Sequence, residues 1–418
     1  MKKTNIYYSI VLCCLLVSAC DSKMTDDSFI KSEPIKIALT SNEVQMVAEN
    51  NNFAIDFFTA LYATSENTEN IIVSPFSLSM ALAMVWNGAE GETKQAIQQA
   101  IGMSNYPESE INDYFKKLGD ALLKTDPNTK LAIANSIWTH EGFPVKQSFY
   151  DVNKTWYNAE VQEIDFSSAD ALTLINKWCS DKTNGLIKKI LEKISPGEVM
   201  YLLNALYFKG IWSSKFDASE TQKQPFYREN GTSISIDMMH QNNKLGYYSD
   251  EHLSLTSLYY GNGAFSMTFV LPNQNVSFEA MLNQLKQPEY FKNCLYAGIY
   301  NYAIVDLFIP KFKLEYKKEL NKILKLLGMG IAFSGAADFS GISDTSLEIS
   351  KVIQKVYIDV NEEGTEAAVV TAIGMETTSP NPEQPQQVTF RADRPFLFLI
   401  RENSTGTVLF MGKVENPQ

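Results

Sequence analysis

From Asn42 onward the chain sets Val44, Met46, Val47, Phe53, Ile55, Phe57, Phe58 and Leu61 among polar residues at helical spacing, which predicts an amphipathic helix. Ser74-Pro75 then marks a strand-to-helix switch, because proline near a helix start gives up an N–H that has no partner there, and an apolar helical run over 78–87 follows. The pattern continues as a helix over 92–101, a strand over 131–138, a helix over 145–157 and a strand over 160–166. A helix through Ile175 is closed by Asn184-Gly185. Residues 200–212 are apolar on both faces, as a central strand of a covered sheet must be. Strand patterns dominate after Ser233, including 266–271 before Pro272 and 304–309 before Pro310; a last helix is predicted over 315–327, stopping at Gly328. Helices and strands alternate without repeats or Pro-rich linkers, so one mixed α+β domain is expected.

The predicted strand over 351–360 leads into a stretch of different character. Residues 362–379 contain no proline and are mostly small or β-branched, and after Gly364 their only charges are Glu366 and Glu376. At the period of a strand, Thr365, Ala367, Val369, Thr371 and Ile373 share one face, and Glu366, Ala368, Val370 and Ala372 share the other. Pro380, Pro382 and Pro385 then end any strand. By itself this pattern fits a sheet-edge strand or a short alanine-containing helix.

At 418 residues and 45% hydrophobic content the chain can bury a large core. A formal charge of −12 argues against nucleic acid as a partner, since phosphate binding needs clustered cations. The densest basic region, Lys311, Lys313, Lys317, Lys318, Lys322 and Lys325, is interspersed with Glu315 and Glu319 and reads as a solvated helix face. Of the five cysteines, Cys13, Cys14 and Cys20 lie at the N-terminus; Cys179 and Cys294 could form one bridge, although Cys179 shares a helical stripe with Leu172, Ile175 and Trp178 that suits a buried thiol.

Met1-Lys2-Lys3, the short apolar run to Val17 and the small residues before Cys20 make residues 1–19 a secretory signal, and Leu16-Val17-Ser18-Ala19-Cys20 is similar to a bacterial lipobox. A lipidated Cys20 with a polar tether over 20–42, followed by a folded domain over 43–418, would place the protein at the cell envelope, on an outer membrane or cell surface; the alternative is an ordinary cleavable signal with an incidental cysteine. A hydrolase finds little support. The histidines are His140, His240 and His252, and there is no His-Glu-x-x-His, no Gly-x-Ser-x-Gly and no cysteine pair at metal spacing, so no metal or cofactor is expected.

Motifs spread along the chain give these patterns a family context: Asn70-Ile-Ile-Val-Ser-Pro-Phe-Ser, Asp181-Lys-Thr-Asn-Gly, Asn204-Ala-Leu-Tyr-Phe-Lys-Gly, Asp338-Phe-Ser-Gly-Ile, Asn361-Glu-Glu-Gly-Thr-Glu-Ala-Ala, Phe390-Arg-Ala-Asp-Arg-Pro-Phe-Leu-Phe and Phe410-Met-Gly-Lys-Val. In these the sequence resembles the serpin family from about residue 43 to Pro417. The resemblance implies three β-sheets with eight or nine helices, an exposed reactive-centre loop over about 362–390, and a monomeric inhibitor rather than an enzyme. It also implies the family's mechanism: a target protease cuts the loop, forms an acyl-enzyme, and is trapped as the freed segment enters the central sheet. The hinge of that loop is then Glu362, Glu363, Gly364, Thr365, Glu366, Ala367 and Ala368. The family's sheet-opening cluster maps to Ser74, Ser77, Asn204 and Gln354, the last in place of a histidine, although Ser74 and Ser77 read alone could simply cap a helix. Trp212 maps to the tryptophan where insertion begins. Family spacing places the cut at Thr378-Ser379, with Met375 or Thr377 as alternatives. No Lys or Arg stands between Lys355 and Arg391, which disfavours trypsin-like targets and points to elastase-like, chymotrypsin-like or cysteine proteases. The alternative is a non-inhibitory surface protein of the same fold, a carrier or adhesin.

Overall fold

The computed structural model describes residues 32–66, 68–195, 197–365 and 385–418. In chain order its first elements are α1 (Ser41–Ala63), β1 (Ile71–Val73), α2 (Pro75–Trp86), α3 (Gly91–Ala100), α4 (Glu108–Leu122), β2 (Lys130–His140), α5 (Gln147–Tyr157) and β3 (Glu160–Ile164). Next come α6 (Ala171–Lys182), β4 (Met200–Ile211), β5 (Gln222–Tyr227), β6 (Ser233–Ser249), β7 (Leu253–Tyr260), β8 (Phe265–Pro272), α7 (Phe278–Leu285) and α8 (Pro288–Tyr300). The last are β9 (Tyr302–Pro310), β10 (Phe312–Glu319), α9 (Asn321–Leu324), β11 (Val352–Asn361), β12 (Gly364–Thr365), β13 (Gln387–Arg391), β14 (Phe396–Glu402) and β15 (Val408–Val414).

The architecture is α+β, with nine α-helices among the described residues. One sheet has six strands in the order β10-β11-β12-β4-β2-β3, with β11 also pairing β4 directly. The other strands form a nine-stranded network, β1-β15-β14-β8-β7-β6-β9-β13 with β5 on β6. The 17-residue strand β6 serves both halves of that network: Ser233–Met238 pairs β5, the stretch to Gly246 pairs β9, and the last residues pair β7. Two sheets thus share one long strand, and with the six-stranded sheet they make three.

The main core lies between the inner face of the six-stranded sheet, the β7-β8-β14-β15 face and the helices, with Phe57, Phe58, Trp86, Phe208, Trp212 and Phe398 all buried. A smaller cluster, with Trp138, Ile175, Trp178, Cys179, Tyr201, Leu203 and Ile353, covers the opposite face of the same sheet beneath α6. Strand β4 is therefore covered on both sides, as its uninterrupted apolar run requires.

Two expectations change. The helix expected over 315–327 is mostly strand. Phe312, Leu314 and Tyr316 are buried while Lys313, Glu315 and Lys317 are exposed, so the period is two, and β10 pairs β11 residue by residue from Phe312↔Val360 to Glu319↔Ile353. Only Asn321–Leu324 is α-helical there. The basic region is accordingly not one helix face: Lys313 and Lys317 alternate along β10, Lys322 lies in α9, and Lys317 reaches Glu192 at 3.4 Å while Lys318 reaches Glu69 at 3.5 Å. The tether, in turn, is not free along its whole length. Over 32–40 it lies on the body, with Ile35 N donating to Thr125 O, Ile37 N donating to Ser404 Oγ, and Ile37 and Leu39 packed against the core. Alternating Ile35, Ile37 and Leu39 were the signal for this contact.

Candidate functional site: a seam between two central strands

Strands β4 and β11 run parallel and pair from Val352↔Leu202 to Val356↔Leu206. Beyond that they part, and the gap holds the two residues of β12, antiparallel to both: Gly364 opposes Ile211 and Asn361, and Thr365 opposes Gly210 and Val360. Gly364 and Thr365 therefore enter the sheet as a short wedge. Glycine is required at its first residue, since Gly364 has φ +146° and a Cβ there would collide with the Gly210 carbonyl oxygen and Ile211 Cα.

Thr365 faces the core. It is 1% exposed, and its hydroxyl lies 2.7 Å from the Tyr260 hydroxyl. Tyr260 stacks on Trp212, with ring centroids 4.3 Å apart and planes 14° apart, and Trp212 Nε1 donates to Asn361 O at 2.9 Å. The backbone after β4 closes over the hinge as well, Trp212 N donating to Glu363 O and Phe216 N to Glu362 O. Both hinge carboxylates are paired, Glu363 with Lys215 and Glu362 with Lys311 at 2.9 Å, and Thr221 Oγ1 also donates to Glu362. Burial opposes a charge on Glu362, but hydrogen bonds from Lys311, from its own backbone and from Thr221 hold its carboxyl below the usual range. Sequence reasoning missed Lys215, Lys311 and Tyr260, because nothing local distinguishes them from other surface lysines or core aromatics.

Midway along the seam Ser74, Ser77, Asn204 and Gln354 meet. Gln354 and the Ser74 backbone bond reciprocally, Ser74 N donating to Oε1 and Nε2 donating to Ser74 O, each at 2.9 Å. Gln354 Nε2 also reaches Asn204 Oδ1 at 3.3 Å across the two strands, and Asn204 Nδ2 donates to Ser77 and to Asn135 Oδ1. Ser74 Oγ donates to Leu409 O at 2.6 Å, so neither serine side chain caps α2. Every one of these residues is buried, which makes their mutual bonding obligatory. With an amide where a histidine could stand, no member of the cluster titrates near neutrality. Asn135 is the member that sequence reasoning missed; a polar residue on β2 directly opposite Asn204 was its signal.

Glu366, Ala367, Ala368, Met375, Thr377, Thr378 and Ser379 lie outside the described residues, as does Cys20. The described chain leaves the six-stranded sheet at Thr365 and resumes before β13, which pairs β9 in the other network. Cys179 and Cys294 are both free and buried in different clusters, and burial pushes each thiol up to about 12. Among the described residues no group of three or more His, Cys, Asp or Glu could hold a metal.

The main sheet thus has two central strands paired at one end and parted at the other by Gly364 and Thr365. The chain belongs to the serpin family: the family model "Serpin (serine protease inhibitor)" matches residues 48–417. The family is one of protease inhibitors, which complex with their target proteases and are not enzymes. A serpin-like protein of Methanosarcina mazei is 35% identical over 382 residues, 89% of this chain and 88% of its own. Among solved structures, the native-state thermophilic serpin tengpin superposes with a TM-score of 0.80 at 31% identity, covering 93% of this chain and 97% of its own. Thyroxine-binding globulin in complex with thyroxine superposes with 0.79 at 29% identity, covering 90% and 100%.

Proposed function

We propose that this serpin is a suicide-type inhibitor that traps an elastase-like serine protease as an acyl-enzyme by drawing its cleaved loop into the seam. The observation that carries the reading is the register of β12. Continued past Thr365 in the pairing already begun, Val369 would come opposite Leu206 and Val356, which now pair each other, and Thr371 opposite Asn204 and Gln354. The inward face would be Thr365, Ala367, Val369, Thr371 and Ile373, small enough for a covered sheet and with its one remaining hydroxyl delivered to the polar cluster. The twelve residues of β4 would be matched through Met375 opposite Met200. A cut at Met375 or later therefore lets the freed segment fill the seam, and Thr378-Ser379 meets that condition.

The test is incubation of the intact protein with a panel of elastase-like, chymotrypsin-like and cysteine proteases. A covalent complex that survives denaturant, with a released C-terminal peptide beginning at or near Ser379 by mass spectrometry, is the expected result. Cleavage with every protease going free would sink the reading. One copy serves one protease, and a lipid on Cys20 holds it at the cell envelope, outer membrane or cell surface; Cys20→Ala is expected to release it from membranes.

A second reading, ligand carriage, draws on one feature. A cavity of about 570 Å³ lies between α1, α8 and the β14–β15 end, lined by Phe291, Leu295, Tyr296 and Tyr300 and by Arg401. Arg401 is 1% exposed, its Nε and Nη2 have no hydrogen-bond partner among the described residues, and burial lowers it to about 10. Thyroxine-binding globulin, a structural neighbour, binds thyroxine. Here an aromatic carboxylate would suit the cavity, and titration calorimetry with one decides the point independently of inhibition.

A further inference from the structure

The outer face of the seam is crossed by the segment between Lys182, where α6 ends, and Met200, where β4 begins. Asn176 of α6 holds this strap, its Oδ1 accepting from Ile190 N and Leu191 N and its Nδ2 donating to Leu191 O. Ile187, Ile190 and Leu191 bury in the same cluster as Tyr201, Leu203 and Ala205 of β4 and Ile353 of β11. Lys355 of β11 donates to the strap at Lys189 O, 2.9 Å away. The strap thus rests on both banks of the seam.

At the closed end, farthest from the β12 wedge, one side chain joins the banks directly. Glu198, with a side chain only 10% exposed, accepts from Lys351 Nζ, adjoining the first residue of β11, through Oε1. Through Oε2 it accepts from the Tyr201 hydroxyl of β4 and from Ser195 N at 2.9 Å. A strand inserted between β4 and β11 moves the banks apart by one more interstrand spacing, about 4.8 Å. A single carboxylate cannot span that, so full opening has to release Lys351 or Tyr201 and leave a largely buried charge short of a partner.

We propose that Glu198 is a positioning residue that clasps the far end of the seam, so that its release sets the rate at which an entering strand completes its insertion. The consequence for protease trapping rests on the inhibitory reading; the clasp itself does not. The decisive measurement therefore uses no protease. A synthetic peptide of residues 365–376 is added to the intact protein, and its uptake is followed by native electrophoresis and tryptophan fluorescence. Glu198→Gln and Lys351→Met should each speed uptake on the order of tenfold, because a charge-assisted bond no longer has to break. The double variant should be no faster than Lys351→Met, which already removes the Glu198 link together with the weaker bond from Lys351 Nζ to Ser195 Oγ at 3.4 Å. Lys351→Met, which leaves Glu198 in place, provides the check should Glu198→Gln fail to fold.

A merely structural role would lower the melting temperature of intact and loop-cleaved protein alike, whereas a clasp already released in the cleaved form should affect the intact protein alone. Uptake within twofold of the native sequence in every variant, no uptake by any of them, or equal destabilisation of both forms overturns the proposal. Peptide uptake that responds to Glu198 in a protein that traps no protease would leave the clasp standing and remove the inhibitory reading instead.

Discussion

Gly364 shows how little latitude one residue of the hinge has. Its φ of +146° and the collision awaiting any Cβ mean that Gly364→Ala must push β12 out of the gap or distort β4. A loss of about 1–3 kcal/mol in urea unfolding of the intact protein is expected. Gly330→Ala is the matched control: Gly330 has ordinary helical backbone angles and open space around its Cβ position, and its effect should stay within about 0.5 kcal/mol. The partner of the hinge acid supplies a second test. The Glu362 carboxyl is lowered from 4.5 in the folded protein, so its pairing contributes fully above that value and is lost as pH falls through the lower folded value. Glu362→Gln should therefore be less stable than the native sequence at pH 7, and the gap should close as the pH is taken below 4.5 and through the lowered folded value. A gap that stays constant across that range would show that the Lys311 pairing is not what Glu362 contributes.

For the elements, strand identity and strand partner are separate questions. The 315–327 region looked helical because its lysines and glutamates suit an exposed helix, but the stricter signal was the alternation Phe312, Leu314, Tyr316, and pairing with β11 settled it. The loop was readable in the opposite sense: its period of two identified a face, and Thr365 does point inward as that period requires. A proline at position 367 would remove a ladder donor two residues beyond the wedge, where the inserting strand meets Phe208 of β4 in the continued register. Ala367→Pro should leave the intact fold unchanged and convert the protein from inhibitor to substrate, with cleavage turning over at least tenfold more often per complex formed. Gel densitometry of cleaved against complexed protein reads this directly. Undiminished trapping would mean that the strand does not insert in this register.

At the scale of the molecule, the described chain pairs with β4 only through Gly364 and Thr365, and the proposed mechanism requires the residues that follow to join the same sheet after cleavage. Cleavage within 375–379 should raise the melting temperature, because Gly364 to Met375 can then pair along the length of β4 and bury their inner face. Calorimetry before and after limited proteolysis checks this, and an unchanged or lowered value counts against insertion. Much of this design was open to reading from the chain alone. The hydrophobic periods determined a mixed fold with a covered central strand, and the small residues and proline stop of 362–385 determined a segment able to become a strand with one buriable face. Both are local properties, set by the pleat and by the chemistry of each side chain. Tertiary structure alone decided the partners. Thr365 meets Tyr260 and Glu198 meets Lys351 across 105 and 153 positions, and in each case the partner was one of many chemically equivalent residues; Asn204 and Gln354 are grouped through the family resemblance and not by any local pattern. A strand's pattern says which face is buried but not which strand lies beside it or in what register, and that choice is made only when the whole sheet packs at once.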